Sequence, residues 1–288
     1  MITNKFCVKP GTKVDLTKFK TSYSGNFKSK SGSKDLLKEN IKRMSELQNK
    51  LYAQDKYSLL LIFQAMDAAG KDGMIKHVMS GLNPQGTQVF SFKQPSTEEL
   101  DHDYLWRINK ALPERGRIGI FNRSHYEEVL IVRVHDLVKS QKIPAKFITD
   151  KIWETRFQQI NNFEKRIYEN GMIILKFFLH ISKDEQKKRF LSRINDPSKN
   201  WKFSSSDLKE REYWHNYQEC YSEALSATSK KDAPWYIIPS DKKWFSRVLV
   251  SEIIVSELEK LKLQYPKISD EQLQKLKLAK EYLTNKEH

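Results

Sequence analysis

Cysteine is scarce in this 288-residue chain. Cys7 and Cys220 are the only two, and their separation matches no metal-binding or redox spacing. Long apolar runs are missing as well. No stretch approaches the ~20 residues of a membrane span, and the N-terminal MITNKFCVKP lacks the apolar core of a signal peptide. A soluble, reducing, cytoplasmic setting without a membrane partner is the expectation. The histidines show no H-x-x-x-H spacing, and no nucleophile motif supports a Ser-His-Asp arrangement. Neither an internal repeat nor a long linker interrupts the chain. Acidic residues are in deficit, 36 Asp plus Glu against 51 Lys plus Arg, a net charge of +15. That excess attracts polyanions, whether nucleic acid, anionic membrane or phosphate chains. Hydrophobic residues make up 39%, enough for a packed core, which excludes a wholly disordered chain.

Periodicity supplies the organisation. Residues 1–33 are polar and basic and read as an extended arm. From Ser33 to about Lys56, Leu36, Leu37, Ile41, Met44, Leu47 and Leu51 recur with helical spacing. Strands are expected at Ser58–Gln64, Thr87–Phe92, Arg117–Phe121, Met172–His180 and Trp235–Pro239. Helices are expected at Lys71–Ser80, Thr97–Ala111, Tyr126–Val138, Lys146–Glu169, Lys183–Asn195, Ser206–Ser229, Lys243–Lys262 and Ser269–Thr284. Apolar strands separated by helices imply an α/β fold with a parallel sheet covered on both faces. The first strand should lie centrally, its following loop at the carboxyl edge where such sheets bind ligands. One domain with helical extensions at both ends is the economical organisation.

The most informative stretch is Leu59–Met74, LLLIFQAMDAAGKDGM. An apolar strand, a loop of small residues, a lysine and a helix start are the parts of a phosphate-binding loop. The backbone of Ala68, Ala69, Gly70, Lys71, Asp72 and Gly73 can offer N–H groups to phosphate oxygens, and the helix N-terminus adds partial positive charge. Lys71 would reach in as a compact cation. The usual pattern is G-x-x-x-x-G-K-[ST]. Here Ala65 stands at the first Gly and Asp72 at the Mg²⁺-binding Ser/Thr, which weakens an ordinary ATPase or GTPase reading. Asp67 would repel phosphate unless a metal lay between them, so it reads as a metal ligand or a base.

Two further constellations follow. The third strand runs into Asn122-Arg123-Ser124-His125-Tyr126-Glu127-Glu128. Asn122 occupies the place where phosphate-loop kinases usually carry a metal-binding Asp, and offers only a neutral oxygen. Arg123 can clamp phosphate bidentately. One of Glu127 and Glu128 suits a helix-capping role, and Glu127, nearer the strand's carboxyl edge, is the functional candidate; His125 reads as structural. Later, Arg189 and Arg193 lie four apart on one helix, which breaks at Asp196-Pro197 into a basic segment holding Lys199 and Lys202 before Asp207 begins another helix. This resembles a mobile lid over transferring phosphates; an ordinary solvated helix end is an equal alternative on this evidence.

Taken together, AMDAAGKDGMIKHVMSGLNPQG (65–86), SFKQPS (91–96), LPERGRIGIFNRSHYEEVLIVRVH (112–135) and NDPSKNWKFSSSDLKERE (195–212) resemble the polyphosphate kinase 2 family, over roughly Tyr57 to Trp244. The NRSHYEE form resembles its class III subgroup, which phosphorylates both AMP and ADP. The resemblance implies transfer of phosphoryl groups from inorganic polyphosphate to AMP and ADP with Mg²⁺, giving ADP and ATP. It implies a three-layer, thymidylate kinase-like phosphate-loop kinase fold with a helical lid, commonly assembled as a homotetramer, with no nucleic-acid partner. On that basis residues 1–56 form an N-terminal arm and helix. Residues 57–245 form the core, with the lid at about 195–216, and residues 246–288 form C-terminal helices. Carried over by position, Asp67 would hold metal and would act in catalysis with Lys71 and Arg123; read from their own places after the third strand, Asn122 is the second metal candidate and Glu127 the further catalytic candidate. Lys76, Arg189 and Arg193 would meet polyphosphate beside the loop backbone, and Lys199, Lys202 and Asp207 would belong to the lid. Asn122 departs from relatives carrying FDRSWYN, and Glu127 replaces their Asn. The competing readings are an ATP-dependent nucleoside monophosphate kinase, which predicts Ser/Thr after Lys71, and a non-catalytic polyanion-binding protein, which leaves Asp67 and Lys71 idle.

Overall fold

A strand with no polar alternation must be covered on both faces, and Ser58–Ala65 (β1) is buried at every position. The computed structural model describes residues 2–25 and 31–286. In chain order its elements are α1 (Ser31–Gln54), β1, α2 (Lys71–Val78), β2 (Thr87–Ser91), α3 (Thr97–Asp101), α4 (Trp106–Lys110), β3 (Ile118–Asn122), α5 (Ile131–Val134), α6 (Ile152–Glu169), β4 (Met172–His180), α7 (Lys183–Ile194), α8 (Ser205–Glu212), α9 (Trp214–Thr228), β5 (Trp235–Pro239), α10 (Lys243–Lys260) and α11 (Asp270–Lys286). The sheet order is β2-β3-β1-β4-β5, and every pairing is parallel. β1 leads away to β2 on one side while β3 leads to β4 on the other. Their adjacent carboxyl ends therefore open a crevice at the sheet edge, where open α/β sheets bind ligands.

The expected strands all form, but several helices are shorter than the periodicity implied. The stretch 97–111 divides into α3 and α4, because His102 is extended and the Asp103 carboxylate accepts the Leu105 N–H. The stretch 126–138 divides into a 3₁₀ turn (His125–Val129), α5 and a second 3₁₀ turn. Leu130 departs from helical geometry and Asp136 sits at φ 51°. The expected helix 146–169 begins at Ile152, after a 3₁₀ turn at Ala145–Phe147, and 206–229 is parted into α8 and α9 at Tyr213. The N-terminal arm is docked along the sheet. Phe6, Val8, Val14 and Leu16 are buried, two 3₁₀ turns interrupt the chain, and the Val8 N–H donates to the Trp235 carbonyl at 2.8 Å. It thereby covers the outer edge of β5, which would otherwise expose unpaired backbone groups. The arm's residues 26–30 lie outside the described residues, and the first helix starts at Ser31.

The turn after β3 is anchored from beneath by a buried polar network. The Lys176 ammonium donates to Glu164 (2.5 Å), the Tyr126 hydroxyl (2.9 Å) and the Thr228 carbonyl (2.8 Å). Tyr126 donates to Glu164 at 2.8 Å, and His125 meets the same carboxylate at 3.4 Å. Burial pulls the Lys176 pKa down to about 8 against the opposing pull of Glu164. Both partners are thus charged at neutral pH, and burying them together is tolerable because the ammonium's donors all find acceptors. Among the described residues no helix is long and apolar enough to cross a membrane.

Candidate active site

The loop after β1 is held in a conformation few sequences tolerate. Ala68 sits at φ 59° and Gly70 at φ 106°. The first is a strained position for an L-residue, costing about 1–2 kcal/mol. At Gly70 a side chain would be strained by the backbone and would also lie 3.6 Å from the Arg189 guanidinium. α2 then starts at Lys71, and the first N–H groups of a helix have no intrahelical acceptor. Lys71 folds back, its ammonium donating to the Ala65 carbonyl at 2.9 Å. Burial and the Arg123 charge pull its pKa below the usual lysine range, against the opposing pull of Asp67, Glu127 and Asp72.

The carboxyl end of β3 supplies the opposite wall. Arg123 sits at φ 65° and its N–H donates to the Phe63 carbonyl at 3.0 Å. Its guanidinium approaches Asp67 at 3.7 Å. Burial lowers its pKa, but Glu127 and Asp67 outweigh this and the net shift is upward. Glu127 accepts the Gln64 side-chain amide at 3.0 Å. Its neighbour Glu128 is buried and paired with Arg156 at 3.0 Å. The Asn122 amide donates to Asp72 at 2.8 Å. An aspartate at 122 would instead face the Asp72 carboxylate, so the two departures from the usual phosphate-loop kinase pattern are complementary.

A cavity of about 530 Å³ opens on this loop. Its lining carries Lys71, Arg123, Arg189, Arg193, Lys199, Lys202, Lys243 and Arg247 against Asp67, Asp72 and Asp207. Eight cations thus face three carboxylates. Asn122 and Glu127 stand beside the cavity rather than in its lining, and Lys76 is exposed on the next turn of α2, outside it. In the segment expected to form a lid, Lys199 pairs with Asp196, and the Lys202 ammonium lies 4.9 Å from the centre of the Trp201 ring. Arg193 reaches Asp207 at 3.5 Å.

Arg189 lines the cavity but directs its donors to the protein. The expectation placed it on polyphosphate. In the structure each of its five N–H donors faces a protein oxygen: Glu185, the Ala68 and Ala69 carbonyls, and the Ser240 and Asp241 carbonyls, at 2.5–3.2 Å. It braces the back of the loop, and Arg193 alone of the pair remains open to the cavity's contents.

Lys243 and Arg247 escaped the reading of the sequence. They occupy the first turns of α10, and neither side chain has a hydrogen bond or ion pair among the described residues. Arg247 lies against Gly73 and Lys243 against Gly70. Burial and neighbouring positive charge, Arg189 above all, push both pKa values down. Cations held together without an ion-pair partner mark a place for an anion. Two basic residues four apart were the only signal, and nothing in the sequence said that α10 packs beside α2.

Among the described residues no three His, Cys, Asp or Glu side chains form a metal cage. Mg²⁺ needs none when phosphates supply ligands: one or two carboxylates and waters suffice. The Asp67 carboxylate, whose nearest charged partner is Arg123 at 3.7 Å, meets that requirement. Asn122 has committed its N–H group to Asp72 and can add only its neutral oxygen.

Comparison with known proteins agrees with this geometry. The family model described as "Polyphosphate kinase 2" matches residues 27–266. An ADP-polyphosphate phosphotransferase of Rhodopseudomonas palustris is 54% identical over 266 residues, covering 92% of each chain. An AMP/ADP-polyphosphate phosphotransferase of Meiothermus ruber is 44% identical, covering 91% of this chain and 95% of the relative. The crystal structure of polyphosphate kinase 2 from Arthrobacter aurescens superposes with a TM-score of 0.87 at 41% identity, over 96% of this chain and 95% of that one. With a phosphate-loop kinase fold, a cation-lined cavity on the loop and a match spanning most of its length, the chain belongs to the polyphosphate kinase 2 family.

Proposed function

We propose that this protein transfers the terminal phosphoryl group of inorganic polyphosphate to AMP and ADP, giving ADP and ATP. The observation that carries the proposal is the cavity: eight cations against three acids on a strained phosphate loop, with Lys202, Lys243 and Arg247 lacking a side-chain hydrogen bond or ion pair among the described residues. A polymer bearing about one charge per phosphate is a natural occupant. The relatives from Rhodopseudomonas palustris and Meiothermus ruber, named for phosphotransfer between polyphosphate and ADP or AMP/ADP, support the same substrates. The reading includes Mg²⁺, a cytoplasmic setting and a homotetramer; exposed Leu273, Leu276 and Leu283 on α11 suit burial in an assembly.

The roles follow from position. The loop N–H groups and Lys71 hold the donor's terminal phosphates, and Arg123 takes the charge that spreads over the transferring group's oxygens. Asp67, with Asn122, would hold Mg²⁺, which would supply neutralisation of phosphate charge. Arg193 and the lid lysines close over the reacting groups, excluding water. The test is direct: incubate the protein with Mg²⁺, polyphosphate and AMP or ADP, without ATP, and look for ADP or ATP. Turnover with ATP as the sole usable donor would favour a nucleoside monophosphate kinase instead.

Glu127 is proposed to act on acceptor choice. It is fixed by Gln64 and electrostatically coupled to Lys71 and Arg123. A carboxylate cannot bind phosphate directly, but it can hold a metal ion or its water on the single phosphate of AMP. ADP brings a second phosphate that recruits metal itself. Glu127→Asn should therefore lower kcat/KM for AMP roughly 10-fold more than for ADP, measured at saturating polyphosphate. Equal losses would make Glu127 a general catalytic or capping residue.

Lys243 and Arg247 are proposed to hold phosphates remote from the reacting one. Replacing both by Gln should raise KM for long-chain polyphosphate while leaving kcat nearly unchanged. The slope of log affinity on log salt should fall by about one per charge removed. An unchanged salt slope would place the polymer elsewhere.

A further inference from the structure

Gln186 is buried, 2% exposed, in the second turn of α7, and its two amide ends face different parts of the active site. Its side-chain N–H donates to the Asp67 carbonyl at 3.0 Å. Its side-chain oxygen accepts from the Arg211 guanidinium at 2.7 Å. Arg211 belongs to α8, the lid helix, and donates also to the Lys183 carbonyl at 2.8 Å. The amide can be oriented only one way, since a guanidinium accepts nothing and a carbonyl donates nothing.

We propose that Gln186 is a positioning residue that links the lid helix to the phosphate loop, so that the placement of α8 sets the orientation of the Asp67–Ala68 peptide. The inference rests on the phosphoryl-transfer reading of this cavity. In a trans peptide the C=O and the following N–H point in opposite directions, and the described residues contain no cis bond. Holding the Asp67 carbonyl toward α7 therefore turns the Ala68 N–H to the other side. Arg189, one turn further along α7, holds the Ala68 and Ala69 carbonyls in the same way. α7 thus restrains three consecutive loop carbonyls. Arg189 is fixed to the body of the protein through Ser240 and Asp241. Of the two α7 side chains that hold these carbonyls, Gln186 is the one bonded to α8 among the described residues. Displacing α8 removes the Arg211 bond and leaves a buried amide oxygen unpaired, which is unfavourable and loosens the grip on Asp67.

Three substitutions separate the parts. Arg211→Met removes the lid connection and leaves the bond to Asp67. Gln186→Leu removes both. Gln186→Glu keeps an acceptor for Arg211 but loses the donor to Asp67. Hydrogen–deuterium exchange of peptides covering 66–73 reads the loop without any substrate. Exchange there should rise several-fold in Arg211→Met, although residue 211 does not touch the loop, and rise again in both Gln186 variants. At saturating polyphosphate, kcat should fall about 10- to 10²-fold in Gln186→Leu, and the double Gln186→Leu, Arg211→Met variant should lose no more than the single one. Loop exchange at the wild-type level in folded Arg211→Met overturns the coupling. So does a double-variant loss equal to the product of the single losses. Should Gln186→Leu fail to fold, the partly exposed Arg211→Met still decides the matter by exchange. Absence of polyphosphate turnover in the wild type would sink the functional reading alone, because the exchange experiment needs no donor.

Discussion

Lys71→Ala should reduce turnover by about 10²- to 10³-fold while leaving the fold intact. Removing one preorganised donor from a site where charge develops typically costs that much. Lys71 is well placed to be such a donor. It sits at the first position of α2, where the helix N-terminus already favours anions, and its ammonium is held over the loop by the Ala65 carbonyl at 2.9 Å. Alanine keeps the helix start and loses the charge together with the bond to the Ala65 carbonyl. The pH profile supplies a second reading. Burial, then Arg123, lowers the Lys71 pKa, and a lysine is charged only below its pKa. Activity that depends on this charge should therefore fall, as pH rises, below the usual lysine range, and that alkaline limb should disappear from the residual activity of Lys71→Ala. A variant with near-wild-type kcat, or with the alkaline limb intact, would show that Lys71 serves the loop's structure and not the reaction.

What could be read in advance follows from which forces are local. β1 announced itself because a strand buried on both faces must be apolar throughout, and its central place in the sheet followed from the same fact. The loop was legible because Gly70, Lys71 and the helix start are adjacent in sequence. Helix ends were less legible. The breaks at His102, Leu130 and Tyr213 carry no glycine or proline to mark them, and at His102 the signal is only the Asp103 carboxylate that accepts the Leu105 N–H. The arm looked free because its lysines and serines mask apolar residues that fit the edge of β5. In the site, spacing placed Arg189 and Arg193 on one helix, but only the tertiary structure shows that one is consumed by backbone carbonyls and the other is not. The same limit hid Gln186, Lys243 and Arg247. Their importance lies in what α7 and α10 pack against, and a glutamine inside a helix carries no signal of its own.

Asp67→Asn should lower kcat by about 10²-fold or more, and the direction of its effect on polyphosphate binding tells what the carboxylate does. The substitution keeps shape and leaves the main-chain carbonyl free to accept from Gln186. It removes one of three negative charges from a cavity that carries eight cations. By Coulomb's law alone a polyanion should then be held equally well or more tightly, so KM for polyphosphate should stay level or fall while kcat collapses. Arg123 loses its 3.7 Å partner and becomes more available to phosphate, which acts in the same direction. If Asp67 serves to hold Mg²⁺, the residual activity should also require a higher Mg²⁺ concentration, because an amide oxygen is a weaker partner for a hard cation. An undisplaced Mg²⁺ requirement with the same loss of kcat would move Asp67 from metal ligand to base. A rise in KM with kcat unchanged would exclude the role of base. Removing a negative charge would then have weakened the binding of an anion, and the carboxylate would be acting on binding alone, through a metal ion it holds or through the conformation of the loop.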